Sequence, residues 1–258
     1  MIAAANRVAD LSQAARRRFL AREKKPLLLG DWTRALFLHF EVPAEVLRPC
    51  VPFELDLWQG RALVSAVAFS MEHLRPGFGG AVARWFFWPI ANHEFFNVRA
   101  YVRFHGHPGI FFIREWLNNP LSVLFGPRAY GLPYRFARIQ YEHRSGAGRL
   151  SGRVGDGFAY RAQIDTGVSY DHCAGGSLDE FLLERYTALT RRGRRSRYFQ
   201  IAHEPWQQNS VAARITDDKL LRRNFPWFAK ARLVGANYSP GVQDVWMGAP
   251  RPVGLLSR

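Results

Sequence analysis

The chain has 258 residues, 48% of them hydrophobic and 14% aromatic, and a formal net charge of +15 at pH 7. This composition excludes a disordered chain, and the length allows a large core without disulfides. No apolar run reaches the roughly 18 residues that a membrane-spanning helix needs, and residues 1–21 lack the continuous apolar stretch of a signal peptide.

Residues 1–25 are interpreted as a basic N-terminal helix or arm, and residues 26–258 as a single domain. Apolar residues recur at helical spacing from Val8 to Phe19, and Pro26 closes the segment. The arm is either a solvated surface helix or a weak contact for an anionic surface or RNA, and both interpretations stay open.

Arginine carries almost all of the positive charge, because the chain has only four lysines: Lys24, Lys25, Lys219 and Lys230. A basic balance can serve nucleic acid or an anionic surface. Here the arginines are spread over predicted strands, and the two arginine clusters fall in the N-terminal arm and after a predicted helix. Nucleic acid is therefore disfavoured as a partner.

The elements after the arm are predicted to be strands and one loop. Arg34–Val42 alternates between two sets of side chains, as a strand does. Gln59-Gly60 predicts a hairpin turn into a second strand, Arg61–Met71. One face of that strand carries small side chains, which leaves room for a ligand cavity or for a closely packed helix. Arg75–Ile90, rich in glycine and aromatic residues, is predicted to be a covering loop.

Asn92–Phe104 is the strand on which the prediction of a site depends. Alternation puts Glu94 on one face with Phe96, and it puts Asn97 and Arg99 on the other face. Glu94 is the only charge on its face, and a carboxylate in that position is either paired or desolvated with a raised pKa. The alternative is that Glu94 begins the strand at the rim of the sheet and bonds a neighbouring arginine.

The remaining elements complete a mostly antiparallel β (α+β) fold. Asn119-Pro120 is an N-cap followed by a proline, which opens a short helix. Ser177 and Glu180 form a capping box, which predicts a helix that runs on to Arg191-Arg192. Strands are predicted at Tyr134–Glu142, Arg149–Val154, Phe158–Ile164, Arg197–Ala202, Val211–Thr216 and Val242–Trp246. The sequence thus predicts one large sheet, closed or strongly curved, with a few packed helices.

Histidine and cysteine give no metal prediction. His105 and His107 have the spacing of a strand-type metal pair, but the sequence places no third ligand, so a structural turn is favoured. The same holds for Asp171-His172-Cys173, and no metal or cofactor is expected. Cys50 and Cys173 agree with a reducing compartment, so the sequence predicts a cytoplasmic protein.

A series of motifs occurs in a familiar order. It comprises Leu36-Phe37-Leu38-His39-Phe40, Glu94-Phe95-Phe96-Asn97-Val98-Arg99, Gly106-His107-Pro108-Gly109, Gly131-Leu132-Pro133-Tyr134, Gly176-Ser177-Leu178-Asp179-Glu180 and His203-Glu204-Pro205-Trp206. With these motifs the chain resembles the uncharacterised YqjF-like proteins, the DUF2071 family, over about residues 30 to 247. No activity comes with this resemblance.

That family in turn resembles, more distantly, acetoacetate decarboxylase and its relatives, which implies a curved, closed antiparallel β cone around a buried cavity. By this resemblance Arg34 and Glu94 stand where the decarboxylase carries an arginine and an active-site glutamate. Arg128 stands in for one of its paired lysines, the Schiff-base one, and Ala129 stands in for the other. A second acidic position falls within Ala66–Ala68, where no acid is present.

The missing lysine limits the chemistry that the resemblance implies. Imine formation needs a neutral primary amine, whereas a guanidinium stays protonated and is a poor nucleophile. No lysine lies between Lys25 and Lys219, so an imine-forming decarboxylase is disfavoured. Arg128, helped by Arg34, could instead hold a carboxylate or enolate while Glu94 transfers a proton. The alternative is a buried Arg–Glu pair that only neutralises itself.

Tyr134 and His203 complete the predicted ligand-binding residues. Tyr134 either projects its hydroxyl into the cavity or packs, and His203 is either a general base or a turn histidine bonded to backbone. Arg99 and Asn97 are predicted to fix neighbouring strands rather than to touch a ligand.

The sequence predicts an internal cavity that binds a small anionic or carbonyl-containing molecule, with or without acid–base chemistry. Two alternatives stay open. One is a non-catalytic ligand-binding or structural protein, and the weaker one is a binder of anionic surfaces or nucleic acid through the N-terminal arm. The sequence does not determine the oligomeric state.

Overall fold

The computed structural model describes residues 2–254, with side chains described for residues 7–254. Met1 of the predicted arm and residues 255–258 of the predicted domain lie outside this part. The helices of the described chain are α1 (Ile2–Glu23), α2 (Ala44–Leu47), α3 (Gly80–Phe87), α4 (Pro120–Ala129), α5 (Leu178–Leu183) and α6 (Lys219–Asn224). Short 3₁₀ turns occur at Arg48–Cys50, Trp88–Ile90, Ser145–Ala147 and Pro226–Lys230.

Strands make up most of the rest of the chain. In chain order they are β1 (Leu28–Val42), β2 (Glu54–Leu55), β3 (Ala62–Pro76), β4 (His93–Phe104), β5 (His107–Leu117), β6 (Tyr134–Phe136), β7 (Ile139–Arg144), β8 (Arg149–Val154), β9 (Phe158–Gln163), β10 (Asp171–His172), β11 (Thr187–Arg192), β12 (Arg195–Ala202), β13 (Gln207–Ser210), β14 (Ala212–Asp217), β15 (Arg232–Met247) and β16 (Arg251–Pro252).

Seven strands close into a ring. Their order is β15-β1-β3-β4-β5-β11-β12, and β12 returns to β15 through the pairs Ile201 with Met247 and Ala202 with Trp246. The pairing of β11 with β5 is parallel, and the other pairings around the ring are antiparallel. The mostly antiparallel, strongly curved sheet predicted from the sequence is therefore confirmed.

A second sheet covers one side of the ring from outside. Its order is β14-β9-β8-β7, and all of its pairings are antiparallel. Its inward side chains, such as Leu150 and Phe158, pack with Leu38, Ala66 and Phe96 from the outer face of the ring in one apolar layer. The small face of β3 therefore faces this second sheet, whereas the sequence suggested a ligand cavity or a helix there.

The inner face of the ring forms a second apolar cluster. Phe37, Val67, Phe95, Phe112 and Phe199 belong to it and come from five different strands. Because alternate residues of a strand point to opposite faces, every ring strand contributes to both clusters. The ring therefore has a core outside it, under the second sheet, and an interior of its own.

Two predicted elements differ in the structure. The capping box is real, since the Ser177 hydroxyl accepts from the Glu180 amide, but α5 ends at Leu183 and Thr187–Arg192 becomes strand β11. Pairing with β5 and β12 inside the ring outweighs the helical spacing, as tertiary contacts commonly outweigh propensity. The predicted loop Arg75–Ile90 contains helix α3, which fits its lack of β-branched residues apart from Val82 and Ile90.

The N-terminal segment forms one long helix that packs against β12. Val8, Ala15 and Phe19 on its apolar face are completely buried, and Arg16 lies over the Trp246 ring at 4.2 Å. The apolar face of α1 is therefore already covered by the rest of the chain. Among the described residues, no helix is both long and apolar enough to cross a membrane.

Candidate functional site

A cavity of about 200 Å³ lies inside the ring. Its walls come from the inner face of the ring strands, and α3, α4 and the turn Trp88–Ile90 contribute Phe87, Ile90 and Phe125. Most of the lining is aromatic or aliphatic. The predicted "covering" segment thus does line a cavity, as a helix and a turn.

Several polar side chains interrupt this apolar lining, and many of their buried atoms have no hydrogen-bond partner among the described residues. These atoms are Trp32 Nε1, His93 Nδ1, Asn97 Oδ1, Arg99 Nε, Glu115 Oε2, Ser122 Oγ and Tyr130 Oη. Buried polar atoms are almost always hydrogen-bonded, because an orphaned one loses its hydration without compensation. Their convergence on one apolar cavity is the usual arrangement of a ligand site.

Arg99 is the most informative of these residues. It is 7% exposed, its guanidinium donates to the Leu182 carbonyl at 3.1 Å, and its Nε has no partner. None of the ion pairs formed by the described residues includes it, although the neighbouring Arg103 and Arg185 both bind Asp56. A buried cation without a carboxylate is costly, so the cavity favours an anion that would supply one.

The position of Arg99 follows from strand parity. On β4, Phe95, Asn97, Arg99 and Tyr101 share the inner face, while the intervening residues face the second sheet. The pairing with β5 shifts register between Val98 and Arg99, so a local irregularity sits at the residue that carries the charge.

A second buried arginine, Arg185, is neutralised within the protein. Its Nη1 donates to Asp56 Oδ2 at 2.6 Å, and both side chains are nearly inaccessible. Arg103 binds the other oxygen of Asp56 at 3.1 Å. The two buried arginines therefore differ in kind: Arg185 has a carboxylate, and Arg99 has none.

Glu115 is a buried acid in this cavity. It is 3% exposed, and burial raises the pKa of its carboxyl well above the ordinary value of 4.5. No neighbouring cation opposes this effect, and Oε2 has no partner. A carboxyl with a raised pKa stays protonated to a higher pH than an ordinary one, and in that form Glu115 can donate to a ligand oxygen.

The histidines that line the cavity are neutral. Burial lowers the pKa of His93 and of His203 to about 4 in each case. His203 Nδ1 lies 2.7 Å from the Glu204 carbonyl and so acts as the donor, which leaves Nε2 as an acceptor. The cavity thus offers the Arg99 guanidinium, the Glu115 carboxyl with its raised pKa, and two imidazoles with lowered pKa values.

The raised pKa of Glu115 gives a testable pH dependence. Its folded-state pKa exceeds the unfolded value, so the folded protein binds more protons above about pH 4.3 and loses stability as pH rises, by up to about 1.4 kcal/mol per pH unit. Glu115→Gln removes this loss. We therefore expect the free energy of unfolding of Glu115→Gln, measured with urea and compared with that of the parent, to increase from about pH 5 to pH 8.

The exposed Glu142→Gln serves as a control for a carboxylate-to-amide change on a strand. A stability difference between Glu115→Gln and the parent that stays constant over this pH range would mean that Glu115 is ionised in the folded protein.

Glu94 and Arg34, the predicted catalytic and anion-holding residues, lie together but not in the cavity. Glu94 accepts from Ser70 Oγ at 2.5 Å and from Arg34 Nη2 at 3.3 Å, on the outer face of the ring. Burial raises the pKa of Glu94, while the Ser70 hydrogen bond and the Arg34 charge lower it. The side chain of Arg34 is 41% exposed and also lies near Glu72. Their roles in a ligand site stay predictions.

Arg128 and Tyr134, also predicted from the sequence, are placed differently from each other. Arg128 lies on the surface of α4, and its Nη1 donates to the Leu124 carbonyl one turn earlier at 2.6 Å. Tyr134 lines the cavity, and its ring packs so closely over Gly126 that any side chain at Gly126 would collide with it. His203 lines the cavity as well. The structure therefore brings Tyr134 and His203 together with Arg99, Asn97 and Glu115, and not with Arg128.

Sequence reasoning had Arg99 and Asn97 on the correct strand and on the face opposite Glu94. Two signals favour the Glu94 face as the cavity face: Glu94 is the only charge on it, and the resemblance points to Glu94. Every residue from Phe95 to Val102 is buried, so both faces of the strand are buried. The alternation of side chains alone then does not show which face points into the ring. Glu115, on β5, is a cavity residue that the sequence analysis does not identify.

Comparison with known proteins gives the family and the fold. The model of the family DUF2071, described as an uncharacterized conserved protein, matches residues 30–243. The uncharacterized protein YqjF of Bacillus subtilis (strain 168) is 31% identical over 198 residues, which cover 74% of this chain and 78% of that protein.

Solved structures of the acetoacetate decarboxylase-like fold are similar at the level of the backbone. The enduracididine biosynthesis enzyme MppR, complexed with the condensation product of pyruvate and imidazole 4-carboxaldehyde, matches with a TM-score of 0.62 and 15% identity over 88% of this chain and 89% of that chain. Acetoacetate decarboxylase from Legionella pneumophila matches with a TM-score of 0.59 and 14% identity over 89% and 87% of the two chains. At such identities the likeness shows the fold alone.

Proposed function

Because the chain belongs to the DUF2071 family and has an acetoacetate decarboxylase-like fold, we propose its function from the cavity: it binds a small carboxylate that also carries a carbonyl group, such as a 2-keto acid. Arg99 holds the carboxylate, and the protonated Glu115 donates to the carbonyl oxygen.

The unpaired guanidinium of Arg99 is the observation that carries this proposal. Its planar array of donors matches a carboxylate, and the bond is strong in a site from which water is excluded. A cavity of about 200 Å³ is smaller than the 300–1,000 Å³ typical of drug-sized ligands, which favours a metabolite of few heavy atoms. The apolar walls suit the short carbon chain of such a compound.

The presence of Glu115 in the cavity is the reason for proposing a carbonyl group in the ligand. A neutral carboxyl in an apolar site is a strong hydrogen-bond donor, and donation to a carbonyl oxygen polarises it toward an enol. Arg99 adds positive charge to the same cavity, which would stabilise negative charge that develops on the ligand. The chemistry that fits is proton transfer at the carbon next to the carbonyl.

Imine chemistry is not part of the proposal. All four lysines are exposed, and none of the described cavity-lining residues is a lysine. A structural neighbour, MppR, has been solved with pyruvate, which supports a keto acid as the ligand class rather than a shared mechanism.

The proposal is tested by thermal unfolding of the parent protein with pyruvate, 2-ketobutyrate and acetoacetate, and with lactate and butyrate as matched acids that lack the carbonyl. A ligand that binds only the folded state adds about 2.7 kcal/mol of stability at a hundredfold excess over its Kd. We expect a higher midpoint with the keto acids and a smaller shift with the matched acids. Equal midpoints with and without every acid would contradict the proposal.

A second function, ligand binding without catalysis, is favoured by the low pKa of both cavity histidines, because neither is a strong base. The two functions separate when a bound keto acid is incubated in heavy water. Deuterium entering the carbon next to the carbonyl faster than in buffer indicates catalysis, and unchanged exchange indicates binding alone.

Glu94→Gln provides a prediction that separates the two faces of β4. The Glu94–Arg34 pair is partly exposed, with side chains 21% and 41% accessible, so its loss should lower the free energy of unfolding by less than about 1 kcal/mol. We expect keto-acid binding to be unchanged, measured as the thermal shift at saturating ligand. If Glu94→Gln abolishes the thermal shift caused by the keto acid, the outer face of β4 contributes to ligand binding.

A further inference from the structure

Helices α3 and α4 and the turn Trp88–Ile90, which contribute to the cavity lining, expose several large apolar side chains. The most exposed of these side chains, which we call the apolar rim, are Val82, Trp85, Phe86, Trp88, Leu124 and Phe125. Trp85 and Trp88 are 73% and 76% exposed. Isolated apolar residues on a surface are ordinary, but a cluster of large aromatic residues marks a contact site.

The two halves of the apolar rim are held side by side at the mouth of the cavity. The Asn119 side chain, which caps α4, donates to the Pro89 carbonyl at 2.8 Å and so joins α4 to the turn after α3. Phe125 belongs to the rim and also lines the cavity. A partner on the rim would therefore cover the entrance.

The chain segments that carry the apolar rim contain arginines and no acidic residue. Residues 73–93 and 116–141, which contain α3, α4 and β6, include no aspartate or glutamate and five arginines: Arg75, Arg84, Arg128, Arg135 and Arg138. Arg192 also reaches the C-terminal end of α4, where it donates to the Pro127 carbonyl at 3.0 Å. Arg75 is paired with Asp244, so the basic border of the aromatic surface consists of Arg84, Arg128, Arg135 and Arg138.

We propose that the apolar rim docks on an anionic lipid bilayer, with the cavity mouth facing the membrane surface. Tryptophan and phenylalanine side chains favour the boundary between lipid headgroups and acyl chains, and arginine binds the phosphates beside them. Each arginine near an anionic leaflet adds roughly a fivefold gain in partitioning. The inference does not rest on the identity of the cavity ligand.

A second copy of the chain fits the rim less well. In a twofold contact the same surface meets itself, so Arg84 and Arg128 would face a surface that carries the same arginines and no acidic residue in either segment. An anionic bilayer, by contrast, satisfies both the aromatic residues and the arginines.

The test is vesicle co-sedimentation of the full chain. Phosphatidylcholine vesicles containing phosphatidylglycerol should bind the parent, and phosphatidylcholine alone should bind it at least tenfold more weakly. Trp85→Ser/Phe86→Ser should lose at least tenfold in binding while keeping its thermal midpoint, since both side chains are exposed. Brominated acyl chains should quench the tryptophan fluorescence of the parent and quench that of the double variant less.

Two double variants, each lacking two arginines, distinguish docking at the apolar rim from general electrostatic attraction to the vesicle. Arg84→Gln/Arg128→Gln removes two charges at the rim, and Arg149→Gln/Arg161→Gln removes two exposed charges from β8 and β9 of the second sheet. The first pair should weaken vesicle binding by at least tenfold, and the second should not. Equal losses in both pairs, no binding by the parent, or a parent dimer that Trp85→Ser/Phe86→Ser dissociates would each overturn the proposal.

Discussion

Replacing Arg99 by methionine should abolish keto-acid binding and leave the free protein at least as stable as the parent. Truncating one partner of a buried charge pair costs about 2–5 kcal/mol of binding free energy, so titration calorimetry should show a Kd weaker by at least about 30-fold. In the free protein the substitution removes an unpaired buried charge and substitutes an apolar side chain of similar length, which is neutral or stabilising. The Leu182 carbonyl keeps its bond from the Tyr101 hydroxyl at 3.1 Å.

Arg128→Met is the matched control for Arg99→Met. The resemblance to acetoacetate decarboxylase assigns the anion to Arg128, whereas the structure places this side chain on the surface of α4. We expect Arg128→Met to bind a keto acid as the parent does. The reverse outcome, with binding lost in Arg128→Met and kept in Arg99→Met, would mean that the ligand lies outside the cavity described here.

Asp56→Ala should destabilise the fold by about 3–5 kcal/mol, the usual cost of leaving one member of a buried ion pair without its partner. The variant leaves the Arg185 guanidinium buried without a carboxylate, although the rings of Phe181 and Tyr101 still lie near it at 4.1 and 5.1 Å. Urea unfolding of the parent and the variant at one pH measures the difference.

The double variant Asp56→Ala/Arg185→Met tests the cause of that loss. Because it removes the stranded cation, it should recover more than half of the stability lost in Asp56→Ala. A double variant as unstable as the single one would assign the loss to packing around Asp56 and not to the unpaired charge. Together with Arg99→Met, this experiment compares a paired and an unpaired buried arginine in one protein.

The strands of the ring could be predicted from alternation, turns and caps. The Gln59-Gly60 turn and the Asn119 cap lie where the sequence places them, with positive φ at both turn residues and the Asn119 side chain accepting from the Ser122 amide. The sequence leaves open a closed or a strongly curved sheet, and the resemblance implies a closed one. The residue pairs that close the ring, Ile201 with Met247 and Ala202 with Trp246, could not be predicted from local pattern, because they are 46 and 44 residues apart in sequence.

The site could be predicted only in part. The sequence locates Tyr134 and His203, and it excludes a lysine from the middle of the chain. It misassigns the inner face of β4, because both faces of that strand are buried and the hydrophobic pattern is the same on each. Whether Arg99 has a carboxylate partner depends on which arginine Asp56 pairs with. Asp56 pairs with Arg185, which is 129 residues away in sequence.

The most direct test of the account is the side-chain NMR signal of the Arg99 Nε–H group, assigned by its absence from Arg99→Met. This nitrogen has no hydrogen-bond partner among the described residues, so its environment changes most when a carboxylate binds. On titration with pyruvate the signal should shift downfield along a saturating curve that gives the calorimetric Kd. If pyruvate stabilises the protein while the Arg99 signal stays in place, Arg99 does not hold the ligand and the site must be sought elsewhere.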